Sequence, residues 1–300
     1  MSVFNYILFP GIIFAAAAGA AVCWIERKIS ALIQFRSGPP LLQPLYDILK
    51  LSRKETLIPA GAPAPVFLGA PVLGFSALIL TAMILTEAGA GRGFAGDIFA
   101  VLYLLRVPVF SIFLAGASSP GPFSSEGASG EVRVFAACEV PLILSVVTVI
   151  LKSSGELSLA GIHSIQSYEG AFAASLSGFI AFAAAFLCLM ARSSRSLFDM
   201  PSSGRDIMGG VFAEYSGPPL ALFMLSGWIL DAFIPLLAVL LFLGGSGLSG
   251  TLLRYAGLLL FSALVKNIFP RLRIDQIEKF FRYPVTAAAA FSVLLGGLGL

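Results

Sequence analysis

Charge is scarce in this chain. Asp, Glu, Lys and Arg make up 12% of its 300 residues, against 58% hydrophobic residues; a soluble domain carries roughly 25% charged residues. So much apolar surface cannot be hidden in an internal core, which excludes a soluble globular protein. The apolar–polar alternation of a membrane barrel is missing too. Apolar runs of about 20 residues fit helices that cross a bilayer. Histidine occurs once, at His163, where a solvated loop residue is expected. The three cysteines, Cys23, Cys138 and Cys188, stand singly in apolar surroundings without metal or cluster spacing. Small buried hydrophobes are expected there, and no metal site in the chain. There is no Gly-rich phosphate loop and no nucleophile–base motif. No aromatic-interleaved basic patch suggests a nucleic-acid partner. No internal repeat suggests a stand-alone transporter.

What is present is a run of candidate spans: Phe4–Trp24, Val66–Ala88, Ile98–Ala117, Val132–Leu151, Ala171–Ala191, Pro218–Leu241, Ser249–Val265 and Pro284–Leu300. The fold expected is an all-α polytopic membrane protein, one integral membrane domain over residues 1–300 with about eight transmembrane helices. Met1–Tyr6 carries no positive charge, and Arg27 and Lys28 follow the first apolar run. A signal peptide has the reverse order, so a retained span with its N-terminus outside is expected. With that orientation the inner segments hold Arg133 and the basic residues of Trp24–Thr56, Ala191–Gly217 and Lys266–Tyr283. The outer segments hold Arg92 and Lys152, and Arg106 and Arg254 fall within spans. This sorting obeys the positive-inside rule and places the basic loops in the cytoplasm of a cell-membrane protein.

Two inner segments read as interfacial helices. After Pro39-Pro40, which suit a first helical turn, Leu41, Leu42, Leu45, Ile48 and Leu49 form an apolar face, with Gln43, Asp47, Lys50 and Lys54 largely elsewhere. Near the C-terminus Ile274, Ile277 and Phe281 form a second stripe, and Asp275–Lys279 and Glu278–Arg282 have i,i+4 spacing. Such helices anchor to the membrane surface or form a platform for soluble partner subunits.

Charge inside or beside a span is costly and tends to be kept for a function. Glu139 lies within a span two residues before Pro141, which removes a backbone donor. Two roles fit it: a proton carrier, or a structural acid paired with an arginine of a neighbouring helix. Glu87, Asp231 and Arg106 could extend a polar track through the bundle. Asp199, Asp206 and Glu214 share one glycine-containing inner segment with Arg192, Arg195 and Arg205. That segment either switches arrangement with nearby charge or is a solvated loop that fixes topology.

The stretches Glu26-Arg27-Lys28-Ile29, Gly38-Pro39 and Leu42–Leu51 resemble the first inner loop of the subunit 1 family of respiratory complex I. Phe198-Asp199-Met200-Pro201 through Glu214-Tyr215-Ser216-Gly217 resembles its long central loop, and Phe269–Gln276 its last inner loop. The matches keep their order from the first span to the last. Gly121-Pro122-Phe123, Gly127–Glu131, Glu139-Val140-Pro141 and the doublets Pro39-Pro40 and Pro218-Pro219 resemble more specifically the membrane subunit of energy-converting [NiFe] hydrogenases and formate hydrogenlyase.

The resemblance implies an anchoring and coupling subunit of an ion-translocating oxidoreductase complex, with no catalytic site or metal of its own. The [NiFe] centre and iron–sulfur clusters would reside in partners: hydrogenase-like large and small subunits and an iron–sulfur protein, beside antiporter-like membrane subunits and lipid. Ion coupling would fall to Glu139, Asp199, Asp206, Glu214, Glu87, Asp231 and Arg106. The interface to the soluble arm would include Glu26, Arg27, Lys28, Arg36, Asp47, Lys50, Arg271, Arg273 and Asp275. The alternative is a quinone-site subunit of a complex I-like NADH dehydrogenase. One departure bears on both. Where the family carries several glutamates after Phe-Asp-x-Pro, this chain has Ser202-Ser203-Gly204-Arg205-Asp206, and only Asp206 keeps an acid there. A different electron acceptor or a rerouted ion path stays open.

Overall fold

The computed structural model describes residues 8–193, 210–244, 247–270 and 272–299. Among the described residues the chain is helical throughout, without a strand. In chain order the helices are α1 (Ile12–Ile33), α2 (Gln43–Ser52), α3 (Ala64–Gly89), α4 (Asp97–Leu104), α5 (Val107–Ser118), α6 (Pro122–Lys152), α7 (Leu159–Glu169), α8 (Leu176–Arg192), α9 (Gly217–Phe242), α10 (Gly247–Ile268), α11 (Ile274–Phe280) and α12 (Thr286–Gly297). Short 3₁₀ turns precede α8 and α9, at Phe172–Ala174 and Gly210–Glu214, and a π-turn at Phe281–Val285 joins α11 to α12.

Among the described residues, six stretches are long and apolar enough to cross a membrane: Ala64–Gly89, Asp97–Ser118, Pro122–Lys152, Gly217–Phe242, Ser249–Ile268 and Ile274–Gly297. The apolar helix α8 is shorter, at 17 residues. The described part of the first expected span is α1, whose second half carries Glu26, Arg27 and Lys28. Large apolar side chains such as Leu253, Leu294 and Phe110 point outward, as lipid-facing residues do. The chain is an all-helical polytopic membrane protein.

The chain divides into two compact units, each drawn from three segments. The first comprises Met1–Met83, Tyr103–Arg133 and Asp199–Ala232. Its core holds Phe67, Ala70, Ala115, Ala128, Val211, Tyr215 and Phe223. Small residues let the backbones close up here. A Cβ on Gly19 would sit 3.0 Å from the backbone of Trp228 and Ile229, so α1 and α9 meet only because that side chain is absent.

The second unit comprises Ile84–Leu102, Val134–Phe198 and Phe233–Leu300. Within it the Thr148 and Ser292 hydroxyls lie 3.0 Å apart and tie α6 to α12. The fully buried Asp97 accepts from the Leu159 amide at 2.7 Å, placing a carboxylate at the positive end of α7. The carbonyl end of α9 is met by Gln166, whose Nε2 donates to Leu240 and Leu241 O at 3.0 and 3.2 Å while Oε1 accepts from Gly244 N at 2.8 Å. Arg254 adds a positive charge there, donating to the carbonyls of Leu243 and Gly244.

Several expectations are corrected. The stripe at Ile274, Ile277 and Phe281 does not form a separate surface helix. Ile277 and Phe281 are fully buried, and α11 runs through the π-turn into α12 as one apolar stretch. The segment around His163 is not a solvated loop but helix α7, and His163 is half-buried on it. Burial, and then the nearby Arg254 charge, lower its pKa and keep the imidazole neutral. Helix α2 starts at Gln43, after a turn at Leu41–Leu42, later than Pro39-Pro40 suggests. The Ile98–Ala117 run breaks at Leu105–Arg106, with Pro108 in the first turn of α5.

Candidate functional site

In the first unit the motif-bearing segments fold onto one another. Beyond α1 the chain turns back on its own end. Trp24 Nε1 donates to Pro39 O at 3.2 Å, and Lys28 Nζ to Ser37 O at 2.7 Å. Arg27 pairs with Asp47 of α2 at 2.9 Å, and Gln43 Nε2 donates to the other oxygen of Asp47 at 3.0 Å. The Arg27 guanidinium also lies 5.8 Å from the centre of the buried Trp228 ring on α9. With Asp47 and Gln43 turned toward Arg27, the face of α2 left outward is Leu45, Tyr46 and Leu49, continued by Leu41 and Leu42. Leu41, Leu42, Leu45 and Leu49 belong to the apolar face expected from the sequence; Ile48, also expected there, is half-buried, and Tyr46 joins the outward face.

The segment before α9 joins the same region from far along the chain. Ser216 Oγ donates to Glu55 O at 3.1 Å and accepts from Leu57 N at 2.9 Å. Gly217, at φ +63°, brings its backbone against the carbonyls of Lys54 and Glu55, where a Cβ would be 2.8 Å from Lys54 O. Tyr215 is buried, stacks on Phe67 with ring centroids 4.0 Å apart, and donates its hydroxyl to Phe67 O at 2.9 Å. Burial pushes its phenol up to about 12, so it stays a neutral donor. The Glu214 carboxylate lies over Gly121, where any Cβ would collide with Oε1. Gly121 immediately precedes α6, so this acid faces the positive end of a long helix. The structure therefore brings three separated motifs together: Lys54–Leu57, Gly121-Pro122 and Glu214–Gly217.

Of the other expected coupling residues, Asp231 is buried on α9 at 3% exposure; Glu26, expected at the interface, is buried on α1 at 8%. Arg106 sits at the α4–α5 break, 4.7 Å over the Tyr103 ring. Glu87 pairs with Arg92 at 2.8 Å. Of the expected interface residues, Arg36, Lys50, Arg273 and Asp275 are exposed, and Arg273 N donates to Gln276 Oε1 at 3.2 Å. Asp199, Asp206 and Arg271 lie outside the described residues.

In the second unit Glu139 pairs with Arg192 at 2.5 Å. This is the arrangement of a structural acid matched by an arginine from a neighbouring helix, with one correction: Arg192 is not a loop residue but the last residue of α8, with only 4% of its side chain exposed. Its guanidinium lies 4.7 Å over Phe135. Cys138 and Cys188, read as solitary, are fully buried and lie close to each other. A signal for this cluster exists in the sequence: Cys138 precedes Glu139, and Cys188 stands four residues before Arg192, one helical turn away.

A model of the NADH dehydrogenase family matches residues 6–296. The chain is 33% identical to the H subunit of the NADH-quinone oxidoreductase of Thermomicrobium roseum, covering 93% of this chain and 90% of that one. It is 31% identical to NADH-ubiquinone oxidoreductase chain 1 of Patiria pectinifera, over 98% and 94% of the two chains. Among solved structures, the membrane-bound sulfane sulfur reductase, an archaeal respiratory membrane complex, contains a chain that matches with a TM-score of 0.85 at 27% identity, covering 95% of this chain and 96% of that one.

Proposed function

The chain belongs to the NADH dehydrogenase subunit 1 family of respiratory membrane complexes, and from that premise we propose that it is the subunit that anchors a soluble electron-transfer arm and couples it to ion movement. The basic segments face the cytoplasm, where the arm docks on Arg27, Lys28, Arg36, Asp47 and Lys50, and Arg271, Arg273 and Asp275 are further docking residues. The arm is hydrogenase-like, with the [NiFe] centre and iron–sulfur clusters in the partner subunits and antiporter-like subunits alongside in the membrane. The single observation behind this reading is the junction at Ser216, which fastens the segment before α9 to the α2–α3 connection. A charge change or displacement where the arm sits would be felt at once by Glu214 and the start of α6.

The experiment is purification in gentle detergent, then reconstitution into liposomes. A complex with a large soluble [NiFe]-like subunit and an iron–sulfur protein is expected, moving ions as electrons flow. Glu214→Gln is expected to keep electron transfer and lose most ion movement per electron. Unaltered ions per electron in that variant would dismiss the role of Glu214. A catalytically active solitary chain would dismiss the whole reading.

A second reading is favoured by the names of the relatives, which are quinone and ubiquinone oxidoreductase subunits: the chain lines a quinone site near α1 and α2. Photolabelling of Arg27–Arg36 by a quinone analogue, competed by free quinone, would select it.

A further inference from the structure

The stretch Ile274–Gly297, long and apolar enough to cross a membrane, begins with its charge gathered on one side. Ile277, Phe281, Val285 and Ala289 are buried and recur every four residues. In an α-helix that spacing drifts by about 40° at each step. The π-turn at Phe281–Val285, with more residues per turn, takes the drift back, so one side of the stretch stays inside the protein. The other side presents Asp275, Glu278, Lys279, Arg282 and Tyr283, which line a groove of about 300 Å³. Lys279, Arg282 and Tyr283 are exposed on it.

A helix that enters a bilayer brings such a groove to the level of the lipid headgroups. Long cations near the end of a span reach out to that layer, and tyrosine settles in it. The order of the groups along the helix narrows the choice of lipid. Asp275 and Glu278 come first, on the aqueous side, and Lys279, Arg282 and Tyr283 follow toward the bilayer. A headgroup that carries an ammonium outside its phosphate has the complementary order. The four charges sum to zero, which matches a zwitterion rather than an anionic lipid. An ammonium with N–H donors bonds a carboxylate, and a trimethylated choline has no donor to offer. Glu278 and Arg282 pair at 2.7 Å, with 61% of the Arg282 side chain exposed. An exposed pair of this kind is worth at most about 1 kcal/mol, so a phosphate and an ammonium arriving together can replace it.

We propose that this groove is the headgroup site of a phosphatidylethanolamine-type lipid. Arg282, Lys279 and the Tyr283 hydroxyl hold the phosphate, Glu278 takes the ammonium, and Asp275 stands at the aqueous rim. No covalent bond changes, and the site does not depend on the coupling function proposed above. A bound headgroup fixes the level at which the π-turn and α12 sit in the bilayer.

The test uses the intact complex in phosphatidylcholine vesicles that contain a small share of phosphatidylethanolamine with a photoreactive acyl chain. After illumination, mass spectrometry should find the label on peptides from Ile274–Ala289. Unlabelled phosphatidylethanolamine should suppress that labelling, and further phosphatidylcholine should not. The double variant Lys279→Gln, Arg282→Gln loses charge-assisted bonds to the phosphate and should be labelled about tenfold less. Glu278→Gln should lower the preference for phosphatidylethanolamine over phosphatidylglycerol. Equal suppression by phosphatidylcholine overturns the proposal, as does undiminished labelling of the double variant or an unchanged preference in Glu278→Gln. An unlabelled wild type overturns it too, and cross-links from Lys279 to a soluble subunit would then assign the groove to a protein. If the double variant does not assemble, competition in the wild-type complex and the preference of Glu278→Gln decide the matter.

Discussion

Tyr215 shows how one side chain serves both halves of the account at the residue scale. Its ring fills the first unit's core against Phe67, and its hydroxyl satisfies a backbone carbonyl at the start of α3. Tyr215→Phe keeps the ring and leaves that carbonyl without its donor, which costs about 1 kcal/mol. Thermal unfolding of the detergent-solubilised protein should register the loss as a lower Tm. The pH dependence has a definite sign. The folded phenol is held above its ordinary value of 10.0, at about 12, so its contribution is fully present below 10 and is lost as pH rises toward 12. The stability difference between wild type and Tyr215→Phe should therefore shrink over that alkaline window. A difference that stays constant through it would contradict the assignment.

Residue identity and residue environment are not equally legible. Glu139 is conspicuous, because a carboxylate in an apolar run stands out against its neighbours. Arg192 is not, because a cation at the end of an apolar run reads as a loop residue that sorts to one side of the membrane. Whether such a side chain turns back into the bundle depends on a partner 53 positions away, and no local pattern encodes that. The meeting of Ser216 with Glu55 and Leu57 is equally nonlocal.

At the scale of elements, the spans are visible from length and apolarity, and their ends are not. Helix α6 begins at Pro122, ten residues before the apolar run expected at Val132, because Ser, Gly and Glu can continue a helix once it is packed in protein. The α11 stripe reads as a surface helix for a related reason. A helix face that meets lipid and one that meets protein have the same apolar period, so Ile277 and Phe281 could be placed on either. The end of α9 makes a prediction of its own. Gln166 engages three backbone groups there and is fully buried. Gln166→Leu keeps the volume and strands those groups, so a loss of about 2–4 kcal/mol is expected. Denaturant or thermal melting should show it, and a melting point within error of wild type would mean that the carbonyls of α9 find other donors.

For the whole molecule, the family assignment and the all-helical fold are both readable from ordered motifs spread along the chain. The partners are not, because one polypeptide records only the face it offers them. The expected interface residues divide accordingly. Glu26, Arg27, Lys28 and Asp47 are at least partly engaged inside this chain, whereas Arg36 and Lys50 remain exposed, as does Lys54 just beyond α2. The central claim is that this edge receives a soluble electron-carrying arm. It is tested most directly by amine-reactive cross-linking of the native membrane complex, followed by mass spectrometry of peptides containing Lys50 and Lys54. Cross-links from both lysines to one soluble subunit that carries iron–sulfur clusters or a [NiFe] site are predicted. Cross-links confined to this chain, or reagents that reach both lysines only from the outer side of the cell, would contradict it.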